Sequence, residues 1–177
     1  MTSAHALSTP NIGDAAIALA GPAAAGVCIG IAQGGSAMLE CAAIVPLISF
    51  GLTAFMVPAL FIGAAYVGPV PAAAAFARAT LYALRNAGVV LLGLAAPLAF
   101  LVATTLHPNT SLAFGAAALA AAGIIGLRSL VSALWSRESM SSASVLLFVF
   151  WSCAYLAIGA TLYAEFIRRA SCLNHPF

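Results

Sequence analysis

The sequence predicts an all-α fold, a polytopic transmembrane helix bundle of about five spans with one short interfacial amphipathic helix, in a single domain over residues 1–177. Three observations carry that expectation. The chain is 64% hydrophobic and 6% charged, with a mean hydropathy of +1.12, whereas average soluble domains are about 45–50% apolar and about 25% charged. Its apolar residues gather in five runs close to the roughly 20 residues that a bilayer crossing needs. Between the runs stand proline, glycine and hydroxyl residues, which turn or break a chain. So few ionisable side chains cannot clothe a globule in water-facing groups. That excludes a soluble enzyme and a disordered tail. A net charge of +2 offers no basic face for nucleic acid.

The first run, 15–33, is rich in Ala and Gly, contains Pro22 and is the least apolar of the five. No Arg or Lys precedes it and Asp14 opens it, so it is not expected to be a cleaved export signal. The second run, 41–67, is interrupted by Pro46 and Pro58, which remove backbone hydrogen bonds that neighbouring helices must make good. The third, 87–106, carries Pro97 near its middle. His107-Pro108-Asn109-Thr110-Ser111 reads as a tight turn, with Thr110 or Ser111 capping the next helix. The fourth and fifth runs are 112–135 and 145–167, joined by a short polar loop that includes Arg137 and Glu138.

Residues 72–85 are too polar to cross. Arg78, Tyr82 and Arg85 fall at i, i+4 and i+7 on one helical face, which predicts an amphipathic helix in the headgroup layer with its arginines toward phosphates, or a connector that snorkels them. Arg78, Arg85, Arg128 and Arg137 fall on one side of the membrane if each run crosses once. The positive-inside rule then puts the N-terminus inside and the C-terminus outside. Arg168 and Arg169 oppose that orientation, and Glu165 can pair with both at i+3 and i+4.

Candidates for chemistry are few. Arg128 lies within the fourth run near its inner end, close enough to Trp135 for its stem to reach the interface. Asp14 and Glu40 sit at span edges rather than mid-span, where a coupled proton or ion route would want an acid. His107 stands at a helix end, a poor place for a pigment or haem ligand. The four cysteines (Cys28, Cys41, Cys153, Cys172) are single, without metal-ligand spacing. No nucleophile stands with a base, so neither catalysis nor a cofactor is expected. Packing motifs are clearer. Gly26, Gly30 and Gly34 form a double G-x-x-x-G, and Ala118, Ala122 and Gly126 form a second small ridge. Small residues that permit close backbone approach drive helix association in lipid.

One resemblance follows from the spacing of Pro, Gly and apolar residues. The stretch 26–35, Met38-Leu39-Glu40, Pro46-Leu47, Val57-Pro58-Ala59-Leu60-Phe61, Gly68, Leu94-Ala95-Ala96-Pro97, Gly126-Leu127-Arg128 and the closing segment from Ala154 to Phe177 are similar to the bacterial Yip-type five-span membrane proteins. The resemblance implies five spans with a cytoplasmic N-terminus. The vesicle-traffic partners of eukaryotic members are not implied, because no residue motif for them matches. Three function classes follow: a non-catalytic structural or accessory subunit of a larger membrane complex, such as a respiratory or photosynthetic one; a small transporter or channel; and a Yip-like organiser of membranes. The expected partners are the lipid bilayer and other membrane subunits, reached through the Gly ridge and the chain's tails.

Overall fold

The computed structural model describes residues 11–31, 37–68, 72–105, 108–134 and 141–173. They form five helices: α1 (Ile12–Ile31), α2 (Ala37–Val67), α3 (Ala73–Thr104), α4 (Pro108–Leu134) and α5 (Ser142–Leu173). All five are long and apolar enough to cross a bilayer, and no strand occurs among the described residues. The chain is an integral membrane protein.

Several boundaries lie outside the expected runs, and two of them change the reading of the fold. The stretch 72–85 is the first part of α3 and continues without a break into the third span. No Gly or Pro lies between Ala72 and Ala87, and the segment is rich in alanine, the strongest helix former. Its buried face also runs on: Phe76, Ala79 and Ala83 are followed by Gly88, Leu91, Leu98 and Val102. The second difference is the start of α4 at Pro108, so residues 109–111 open a helix rather than extend a turn. Proline suits the first helical position, where its missing N–H has no intrahelical partner to lose.

The helices alternate in direction. α3 and α4 run antiparallel, since Asn86 bonds Ser129 and Leu98 packs near Phe114. α2 and α5 do the same, through Met56 with Trp151 and Thr53 with Tyr155. α1 runs parallel to α3: Asp14 meets Arg85, Ala25 clusters with Leu91, and Cys28 reaches the Ala95 carbonyl. α1 therefore begins well above the start of α3 and packs on α2, α3 and α4.

The helices continue through Pro22, Pro46, Pro58 and Pro97. Beside two of these prolines a neighbouring helix supplies a donor. The Trp151 indole N–H donates to the Met56 carbonyl at 2.7 Å, two residues before Pro58. The Cys28 thiol donates to the Ala95 carbonyl at 3.4 Å, two residues before Pro97.

At the end of the bundle where α3 begins, α1 is absent and aromatic residues fill the core. Leu60, Phe76, Ala79, Ala83, Leu130 and Trp151 are buried together. Phe61 meets Phe76 edge-on at 5.3 Å, and Phe148, Trp151 and Tyr155 stack along α5 at 5.9 and 5.5 Å between centroids. Where α1 is present the core is built from small residues, Ala25 with Leu91 and Ala122, then Cys28 with Leu98 and Val102.

Candidate functional site

The described residues among those singled out for packing lie inside the chain. Gly26 is buried on α1, where an added Cβ would meet the Cys41 carbonyl and Ala42 of α2. Gly30 is also buried on α1, and Gly34 lies outside the described residues. Ala118 packs against both of these clusters, Ala122 is fully buried in one of them, and Gly126 of α4 packs against α3, where an added Cβ would stand 3.3 Å from the Ala83 carbonyl and the Ala87 Cβ. Both ridges thus join helices of this chain. A second close approach of backbones lies at Gly21 of α1 and Gly88 of α3. A Cβ on Gly21 would strike the Gly88 backbone, and one on Gly88 would strike the Ile17 carbonyl.

The three arginines separate. Arg78 is exposed and its Nε donates to the Ala74 carbonyl one turn back, at 3.2 Å. Arg85, expected to face phosphates beside Arg78, instead pairs with Asp14, Nε to Oδ1 at 2.9 Å. Arg128 is exposed on α4. One residue on, the Ser129 hydroxyl accepts from the Asn86 amide at 2.9 Å and donates to the Ile125 carbonyl at 3.0 Å. Asp14, Arg85, Asn86, Arg128 and Ser129 therefore form one polar level across α1, α3 and α4.

A small cavity lined by Thr53, Ala83, Leu84, Gly126 and Tyr155 shows which parts of α2 and α5 share that height. Thr53 is near the middle of α2, and its hydroxyl donates to the Ser49 carbonyl at 2.7 Å. Having a single proton to give, it accepts from the Tyr155 hydroxyl at 3.0 Å. The polar level thus crosses the bundle near its mid-height, and on the α2 and α5 side the surface beyond it stays apolar. Ile62 is 57%, Tyr66 88%, Leu146 71% and Phe150 76% exposed.

Toward the other end, α1 to α5 surround a larger cavity of about 350 Å³. Among the described residues no three His, Cys, Asp or Glu side chains gather as a metal site. Cys28 and Cys41 are buried, Cys153 is exposed, and all three are free thiols. His107, the side chains of residues 168 and 169, and the tails 1–10 and 174–177 lie outside the described residues. Comparison with family models, with curated proteins and with solved structures gave no match.

Proposed function

We propose that the chain is a non-catalytic accessory subunit of a larger assembly in a bacterial cytoplasmic membrane, with its N-terminus inside. The observation that carries this reading is the polar level at mid-height. Asn11, exposed at the start of α1 with its N–H donating to Asp14 at 3.2 Å, lies beside that level and is costly to leave in hydrocarbon. A membrane boundary there also frees the exposed Arg128 guanidinium from lipid.

The same boundary leaves the lower α2 and α5 surface outside the hydrocarbon core. Tyr66 lies roughly 20 Å along α2 from Thr53, and Leu146 roughly 14 Å along α5 from Tyr155. The headgroup region adds only about 5–7 Å on each side. Large apolar residues this far out are covered when a neighbouring subunit packs on them. The Gly ridge does not support the proposal, since it is occupied within the chain. The transporter and Yip-like readings draw no specific support from the geometry.

Photocrosslinking amino acids at Tyr66, Phe150 and Leu47 test the reading. Leu47 is also largely exposed, at 70%, but lies on the upper half of α2. Tyr66 and Phe150 should yield one discrete protein adduct in native membranes and Leu47 none. Lipid adducts alone at all three positions would remove the subunit reading.

A further inference from the structure

The upper cavity of about 350 Å³ is bounded by all five helices, from Pro22 of α1 to Tyr163 of α5. No Asp, Glu, His, Lys or Arg lines it. Three hydroxyl residues do, and none presents a free proton to an occupant. Ser49 donates to the Val45 carbonyl at 2.8 Å. Tyr155 donates to Thr53, whose own proton goes to the Ser49 carbonyl. The Tyr163 oxygen is sealed off, packed against Gly115. What the wall offers is hydrocarbon surface.

The cavity opens sideways, and a cation stands below the opening. α5 leans chiefly on α2, and α4 and α5 touch little. Ala116 and Ala120 of α4 and Ala160 of α5 line the cavity while being exposed on the outer surface. From there a ridge runs down α4: Ala116, Ala120, Ile124 and Arg128 follow at four-residue steps, all of them exposed. Arg128 has no acidic partner among the described residues. Asp14 is paired with Arg85, while Glu40 at the start of α2 and Glu165 near the end of α5 stand at the opposite end of the bundle.

We infer that an anionic phospholipid of the leaflet on the Arg128 side lodges here, its phosphate on the Arg128 guanidinium and the outer part of one acyl chain in the cavity. Ala120 and Ala116 lie roughly 12 and 18 Å along α4 from Arg128, and the hydrocarbon of one leaflet is about 15 Å deep. A chain hung from a headgroup at Arg128 therefore comes level with the opening. An apolar cavity stays dry, and one of about 150 Å³ holds benzene, so this larger one has room for several chain carbons. Left empty, it would forfeit dispersion contacts along its walls. Arginine meets a phosphate with two parallel N–H donors. An anionic headgroup leaves its charge to that arginine, whereas a zwitterionic one carries its own cation. The chains of the bilayer also outnumber any free lipophile, so mass action favours them at a lateral opening. With the membrane boundary at the polar level, on which this inference rests, Arg128 stands at headgroup depth; the neighbouring subunit is not required.

The test uses the full chain in phosphatidylcholine vesicles doped with a phosphatidylglycerol that bears a diazirine near the end of one acyl chain, or with a phosphatidylcholine bearing the same chain. Peptide mapping after irradiation should place phosphatidylglycerol adducts on segments 116–123 and 156–163, saturable and competed by unlabelled phosphatidylglycerol. Arg128→Gln should weaken that binding about fivefold, as one arginine at an anionic headgroup warrants, and leave phosphatidylcholine unchanged. Arg128→Lys should retain most of it. Gly123→Leu should abolish the adducts, because a Cβ there meets only Leu156 Cδ2, at 3.6 Å, and the longer side chain grows into the cavity. Adducts at the exposed Phe100 of α3 should persist in every variant, showing that the bundle is intact. Labelling of the two segments that neither saturates nor responds to Gly123→Leu overturns the site. Equal affinities for the two phospholipids, or a phosphatidylglycerol affinity unchanged in Arg128→Gln, overturn the headgroup contact. Displacement of the phosphatidylglycerol by palmitate more readily than by its own unlabelled form assigns the cavity to a free fatty acid and overturns the phospholipid. An impermeant maleimide on Asn11→Cys reads the boundary separately: where it reacts, a negative result counts against the lipid site alone.

Discussion

At Gly88 the backbone of α3 lies against the Ile17 carbonyl and the Ala18 Cα of α1, so a single methyl group has nowhere to go. The neighbouring atoms are backbone and cannot swing aside. Gly88→Ala should therefore push the two helices apart and cost about 1–3 kcal/mol. Gly93, five residues along the same helix, meets nothing within 4 Å, and Gly93→Ala should stay within about 0.5 kcal/mol of the parent. Steric-trap or detergent unfolding of the two variants checks the pair, and equal stabilities would remove the α1–α3 crossing as a close contact. Sequence reasoning found Gly26 and Gly126 because small residues recur at helical spacing. It passed over Gly21 and Gly88: Gly21-Pro22 reads as punctuation, and the worth of a lone Gly88 depends on which helix crosses it. Ala18, Gly21, Ala25 and Cys28 do form one small-residue stripe on α1, a signal that was legible on its own.

α3 shows where a charge rule and a packing rule compete. Arg78 and Arg85 made the stretch 72–85 look like a surface helix, yet the buried face Phe76, Ala79, Ala83 continues in register to Val102. Periodicity gives that face, whereas the partner that neutralises Arg85 comes from α1 and cannot be read from α3 alone. Continuity has a direct measure. Spin labels at Arg78→Cys and Ala96→Cys, both exposed positions, in a cysteine-free background should lie roughly 27 Å apart along one straight helix. A helix folded flat against the membrane before turning into a span would bring them below about 20 Å. A second test addresses the ion pair itself. Both side chains are partly covered by the bundle, so removing one partner leaves the other charge unpaired beside apolar surface, and Asp14→Ala should lower stability more than the double variant Asp14→Ala, Arg85→Ala. Unfolding of the two in parallel decides it, and a double variant as weak as the single one would show that the pair contributes nothing.

The number and rough limits of the helices were legible because five apolar runs leave few other arrangements. Their relative heights were not, since sequence carries no record of how far one helix slides past another. α1 starts at the level of Arg85 and Thr53 rather than at the foot of α3, and that offset creates the mid-height polar level. A membrane-impermeant maleimide should label Asn11→Cys and Ser141→Cys from one side and Thr110→Cys from the other; all three positions are exposed. By the arginine rule the first side is cytoplasmic. Unreactive Asn11 beside reactive Ser141 would put the polar level within hydrocarbon and withdraw the ground for a partner on the lower face.

The dependence of α5 on α2 has a consequence in time. The ribosome releases α2 long before α5, with α3 and α4 made between them. During that interval the Thr53 hydroxyl lacks the phenol that later donates to it, Gly63 lacks the Leu147 side chain that packs on it, and the surface destined for Trp151 stands open. α1 to α4 can settle first through their glycine and alanine contacts, leaving a vacant flank on α2. An insertase that holds a nascent chain laterally until its last helix arrives would suit this order of synthesis. A chain truncated ahead of Ser142 should dwell on such an insertase and then be degraded.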